Sequence, residues 1–169
     1  LVTAGDEMTK NITQYARDIF NLLIGERVAE DVKCRIGSTL DMGEALVVEM
    51  RGRYLLTGLP RQVDVHDGQI REALYRSVQT IVDNIKATIE VTPPELVADI
   101  YERGIVLTGG GALLRGIERT IARETDIPVR VAEDPLTAVV RGAGMLLDNE
   151  ALLKDIALPS TSSDNYNPR

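Results

Sequence analysis

The 169-residue sequence has no tryptophan, one phenylalanine, one histidine and one cysteine. A lone cysteine, Cys34, excludes an internal disulfide, and a lone histidine, His66, leaves no zinc-type cluster. With aromatic residues at 4%, the core has to be assembled from Leu, Ile, Val and Ala. No apolar run approaches the roughly 20 residues that a membrane-spanning helix needs. The first residues also lack the basic-then-apolar pattern of a signal peptide. Positive charge is in short supply: 19 Lys and Arg against 26 Asp and Glu leave a net charge of −7. That balance disfavours non-specific binding to nucleic acid or to an anionic lipid surface. The expectation is a soluble cytosolic protein of one domain or two small subdomains, with Cys34 as a small core residue inside a helical pattern.

Glycine is concentrated in one place. Thr108-Gly109-Gly110-Gly111-Ala112 follows the apolar run Gly104-Ile105-Val106-Leu107 and precedes Leu113-Leu114-Arg115-Gly116-Ile117. This order predicts a buried strand, a tight turn and then a helix from Leu113 to Thr125. Three glycines allow positive φ and let a ligand approach the backbone closely, and N–H groups converging at the helix start suit an anion. The plainer reading is a strand–helix corner that needs only one or two glycines to bend.

Along the chain, Leu1 to Gly5 reads as a strand remnant, as if the chain were cut from something longer. A helix follows from Asp6, which can cap it, with Met8, Ile12, Tyr15, Ile19 and Leu23 as its stripe and Gly25 as its end. A second helix, Glu26 to Ile36, stops at Gly37 and carries Glu30 and Lys33 at i, i+3 spacing, side by side on the surface. They are either a solvated ion pair or a carboxylate and an ammonium that grip a ligand. Alternating residues from Glu44 to Val65 predict a small antiparallel sheet with a hairpin turn at Arg51-Gly52-Arg53 and a third, edge strand from Gln62 to Val65. The longest helix spans about Gln69 to Glu90, and Thr92-Pro93-Pro94 introduces a short one through Tyr101. Strands at Ile105–Leu107 and Asp126–Val131 flank a crossover helix, and a last helix spans Leu136 to Asp148. The fold class is therefore α/β, with a parallel pair, preceded by an α+β lobe. The polar stretch from Leu158 is expected to be disordered.

Two long stretches, IVLTGGGALLRG (105–116) and IPVRVAEDPLTAVVRGAG (127–144), resemble the C-terminal part of the MreB family of bacterial actin-like cell-shape proteins. Gly5-Asp6-Glu7-Met8, NLLIGERVAEDVK (21–33), EMRGR (49–53), TGLP (57–60) and TPPEL (92–96) resemble it in the same order. The resemblance runs to about Asp148. It implies the second half of an actin-like ATPase (ribonuclease H-like) fold. Residues 6–67 would form the inserted lobe, 1–5 and 68–150 the nucleotide-binding core, and 158–169 a tail.

The resemblance further implies that Thr108, Gly109, Gly110, Gly111, Ala112 and Leu113 form an adenosine-binding turn. Glu30 and Lys33, with Asp31 and Val32 between them, would line the adenine and ribose pocket, so that ATP or ADP, with Mg²⁺ carried by the nucleotide, is the implied cofactor. Self-association into filaments, the N-terminal half of the same family and cell-wall elongation proteins are the implied partners. No nucleic acid and no direct membrane contact are expected, and the location is the cytoplasm, beneath the inner membrane in the full-length context. The family's phosphate loops and metal-associated aspartates have no counterpart in the sequence, so no catalytic or metal-binding residue is assigned and hydrolysis is not expected of this chain alone. A chaperone or sugar-kinase relative, or an interaction module that has lost nucleotide binding, are the alternatives.

Overall fold

A computed structural model describes residues 5–149 and 153. The predicted strand remnant at Leu1–Ala4 and the polar tail lie outside the described residues. Helix α1 (Gly5–Phe20) carries Asp6 and Glu7 in its first turn and Arg17 in its last, matching the helix dipole at both ends. Asp6 lies inside the helix instead of capping it. The helix buries Met8, Thr9, Ile12 and Ala16, while Ile19 is 54% exposed.

It also stops earlier than its apolar stripe suggests. Asn21 takes φ 51°, a left-handed conformation that asparagine tolerates, and Leu22–Leu23 form strand β1. Helix α2 (Glu26–Ile36) has the predicted bounds and buries Ala29, Val32 and Ile36. Cys34 falls off that face and is exposed, contrary to the expected core position.

The antiparallel sheet has the order β1-β2-β3, with β2 at Val47–Tyr54 and β3 at Pro60–His66. Arg51-Gly52-Arg53 is not the hairpin turn; it runs through β2, where Leu23 pairs with Arg53 and Arg53 with Pro60. Gly52 is there because β1 crosses close: a Cβ at this position would lie 2.4 Å from the Leu23 carbonyl oxygen. The chain turns instead at residues 55–59, where Gly58 has φ +74° and the Tyr54 N–H donates to the Leu59 carbonyl at 2.8 Å.

Helix α3 (Asp67–Glu90) starts with a capping box, the His66 N–H donating to Gln69 Oε1 at 3.0 Å, and buries Ile70, Leu74, Val78 and Val82. Helix α4 (Pro94–Arg103) buries none of its residues. Strands β4 (Ile105–Leu107) and β5 (Val129–Val131) pair in parallel through α5 (Ile117–Thr125), the crossover the sequence predicts. Helix α6 (Ala138–Leu147) leaves Val139, Val140, Met145 and Leu147 exposed. One apolar core, including Ile12, Leu22, Ile36, Met50, Leu74 and Ile121, joins the antiparallel sheet, α1, α2, α3 and α5.

Tyr15 gives this packing a pH signature. Its hydroxyl donates to Glu72 Oε2 at 2.9 Å. Burial, then that bond and the Glu72 charge, push the phenol from its ordinary 10.0 up to about 12. The folded state favours the protonated form, so this contribution is fully present below pH 10 and is lost as pH rises from about 10 to about 12. Tyrosinate absorbance is expected to show a titration step near pH 12 that belongs to Tyr15. Tyr15→Phe should remove that step; an unchanged titration in the variant would contradict the assignment.

Candidate functional site

The glycine stretch does not feed straight into a helix. Gly109 has φ +78°, residues Gly110–Leu113 make a single 3-10 turn, and α5 begins only at Ile117, after Gly116 at φ +80°. The Gly109 N–H donates to the Pro135 carbonyl at 2.7 Å, and the turn closes with Ala112 N–H on the Gly109 carbonyl at 3.2 Å. Gly110 and Gly111 thus provide the first N–H groups of the turn, which have no partner within it. Among the described residues, side chains at Gly109 or Gly111 would meet nothing within 4 Å, so there is open space beside the turn at these two positions. Thr108 and Leu113 are exposed and Ala112 is buried beneath the turn.

On α2 the four candidate residues divide. Val32 is a core residue at 1% exposure, and Asp31 points outward to Arg35 at 3.5 Å. Glu30 is about half exposed while Lys33 is mostly covered, and Lys33 Nζ lies 2.5 Å from Glu30 Oε2. Lys33 also donates to the Gly5 carbonyl at 3.0 Å and to Thr9 Oγ1 at 3.1 Å. The Lys33 ammonium, then the Thr9 hydroxyl, hold the Glu30 carboxyl below its usual range. Beside Glu30 lies a cleft of about 420 Å³ lined by Asp6, Thr9, Lys10, Glu26, Arg27 and Glu30.

The two candidate elements meet where each one ends. Arg115, just past the glycine turn, donates to the Ile36 carbonyl at 3.2 Å and to the Gly37 carbonyl at 3.3 Å, at the C-terminus of α2. There its charge also complements the negative end of the helix dipole. Ser38 bridges to Arg115 in parallel, and the Thr39 N–H donates to the Arg115 carbonyl at 2.9 Å. From the other side Arg71 of α3 donates to the Leu40 carbonyl at 2.8 Å. Glu30 and Lys33 lie seven and four residues back along α2 from Gly37, about 10 Å and 6 Å at the helical rise. Among the described residues no hydrogen bond joins Glu30 or Lys33 to residues 108–113; what relates them is this shared junction.

Thr9, the Gly5 carbonyl and the bracing role of Arg115 escaped the reading of the sequence. Thr9 lies one turn from Gly5 and directly beside Met8 on the apolar side of α1, a position that local spacing cannot distinguish from packing.

The chain as a whole is similar to known proteins. A sequence model of the MreB/Mbl protein family matches residues 1–155. The cell shape-determining protein MreB of Escherichia coli (strain K12) is 47% identical over 144 residues, covering 85% of this chain and 42% of that protein. The cell shape-determining protein Mbl of Bacillus subtilis (strain 168) is 44% identical over 146 residues, covering 86% of this chain and 44% of that protein. The crystal structure of MreB5 of Spiroplasma citri bound to ADP matches with a TM-score of 0.87 and 31% identity, over 93% of this chain and 48% of that one. The chain thus spans less than half the length of these relatives. Its fold corresponds to about half of an actin-like ATPase fold, as the sequence resemblance implies. By a family match over most of its length and by these relatives, the chain belongs to the MreB/Mbl family.

Proposed function

We propose that this chain supplies the adenosine-facing side of an ATP or ADP site in an actin-like, cell-shape-determining protein. The observation that carries this reading is the junction at Gly37 and Arg115, which ties the Glu30–Lys33 helix and the glycine turn into one unit. The open space beside Gly109 and Gly111 and the half-exposed Glu30 carboxylate fit a nucleoside. The turn would lie against the nucleotide with its N–H groups, while the Glu30 carboxylate would meet the ribose hydroxyls and the edge of the base, with Lys33 behind it fixing its position. Thr108, Ala112 and Leu113 shape the turn; Asp31 and Val32 complete the helix segment without facing the ligand. The solved relative bound to ADP supports the choice of ligand.

In this reading residues 6–67 form the inserted lobe, and 1–5 with 68–150 the core. Mg²⁺ enters with the nucleotide phosphates, and hydrolysis belongs to the complete protein, because phosphoryl transfer needs positioned metal and phosphate contacts that the resemblance places elsewhere in the family. Filament contacts, partners in cell-wall elongation and a location in the cytoplasm beneath the membrane follow from the family and are part of the proposal.

Calorimetric titration with ADP and Mg²⁺ tests it. The wild-type chain should bind, and Gly110→Val and the double variant Glu30→Ala/Lys33→Ala should each weaken binding about tenfold or more, the equivalent of roughly 1.4 kcal/mol. Equal affinity in all three proteins would refute the two-sided site.

A further inference from the structure

Lys33 has three N–H donors and three acceptors around them: the Gly5 carbonyl, Thr9 Oγ1 and Glu30 Oε2. Thr9 is the member of this group that touches both charges. Its oxygen accepts from Lys33 and lies 2.6 Å from Glu30 Oε2 and 2.9 Å from the Gly5 carbonyl, two acceptors for its one proton. The carboxylate is the nearer and the charged acceptor, so the proton goes there. Thr9 is 6% exposed and belongs to α1, whereas Glu30 and Lys33 belong to α2. An i, i+3 ion pair on a single helix is loosely held and worth little. A hydroxyl from a second helix, bonded to both partners, restricts the pair to one arrangement. In that arrangement Oε2 is occupied by Lys33 and Thr9, while among the described residues Oε1 has only the Cys34 thiol at 3.6 Å.

From this geometry we infer that Thr9 is a positioning residue of the proposed nucleotide site: it locks the Glu30–Lys33 pair across the α1–α2 interface and leaves the outer carboxylate oxygen of Glu30 free to accept from a ligand hydroxyl. The inference rests on the nucleotide reading for its ligand, but the lock itself exists without one. Thr9 does no chemistry on the ligand. It acts through Glu30.

The test compares the whole chain with Thr9→Val, which keeps the shape and removes the hydroxyl, and with Thr9→Ser, which keeps the hydroxyl. Two readouts are taken: the Glu30 carboxyl titration, followed by ¹³C NMR of carboxyl-labelled glutamate, and ADP affinity by calorimetry. Thermal melts show that each variant is folded. In Thr9→Val the Glu30 midpoint should rise toward the ordinary carboxylate range and ADP affinity should fall about fivefold, the size of one hydrogen bond; Thr9→Ser should restore both. A Glu30 midpoint in folded Thr9→Val identical to wild type overturns the inference whether or not ADP binds. A displaced midpoint with unchanged ADP affinity overturns the role of Thr9 at the site while leaving the nucleotide reading intact. If the wild type binds no ADP but the midpoint moves in Thr9→Val and returns in Thr9→Ser, the nucleotide reading fails and the lock is upheld.

Discussion

Gly37→Ala is expected to lower the unfolding free energy by about 3 kcal/mol, the upper end of the usual cost of forcing a methyl group into a packed site. Gly37 closes α2 with its N–H on the Lys33 carbonyl at 2.8 Å. Its φ is −62°, so the backbone conformation is open to any residue and the cost is purely one of space. A Cβ there would lie 2.3 Å from the Lys33 carbonyl oxygen and 3.0 Å from Leu114 Cδ1. The first neighbour is backbone and cannot swing aside; the second is the buried leucine that follows the glycine turn. Relief requires Gly37 to turn away from the last turn of α2, which breaks its own N–H bond to Lys33, and Leu114 to give way, which shifts the Gly37 carbonyl from Arg115. Urea unfolding measures the loss, and ADP affinity measured on the folded fraction should fall with it. A variant as stable as wild type would show that the junction is looser than these distances indicate.

Gly104→Ala should cost a comparable amount, also about 3 kcal/mol, from two sources that add: a backbone conformation reserved for glycine and a direct clash. Gly104 takes φ +75° and ψ −176°, a region that L side chains rarely enter. A Cβ would in addition meet the Pro128 carbonyl oxygen at 2.5 Å. That same carbonyl accepts the Ile105 N–H at 2.8 Å as β4 enters its pairing with β5. The substitution therefore strikes the parallel pair at its first hydrogen bond, and that pair presents the glycine turn at its far end. Unfolding should be measured alongside amide exchange of Val106 and Leu107. Faster exchange in these strand residues is expected; a global loss of stability without it would place the damage elsewhere.

Most helices were legible because their signals are local. The bounds of α2 follow from Gly25 and Gly37 on either side of Val32 and Ile36, and α3 follows from a long, regular stripe. Strands β4 and β5 and their crossover were legible as apolar runs around a helical stretch. What local pattern could not supply was pairing between distant residues. Leu23 continues the apolar period of α1, yet its chain segment pairs with β2 about thirty residues later. Gly52 resembles a turn residue because glycine usually bends the chain; here its role is to let β1 pass.

The site shows the same division. Glu30, Lys33 and the three glycines stand out by type and spacing, whereas Thr9 acquires its meaning only when α1 lies against α2. Cys34 missed its expected core position because the buried face of α2 runs through Ala29, Val32 and Ile36 and turns the intervening residue outward.

The central claim is that α2 and the glycine turn act as two walls of one nucleotide pocket, and residue-resolved NMR during titration with ADP and Mg²⁺ tests it most directly. The account predicts that the amides of Glu30 to Lys33 and of Gly109 to Leu113 shift together and fit a single dissociation constant. Shifts confined to one of the two segments, or absent from both, would contradict it.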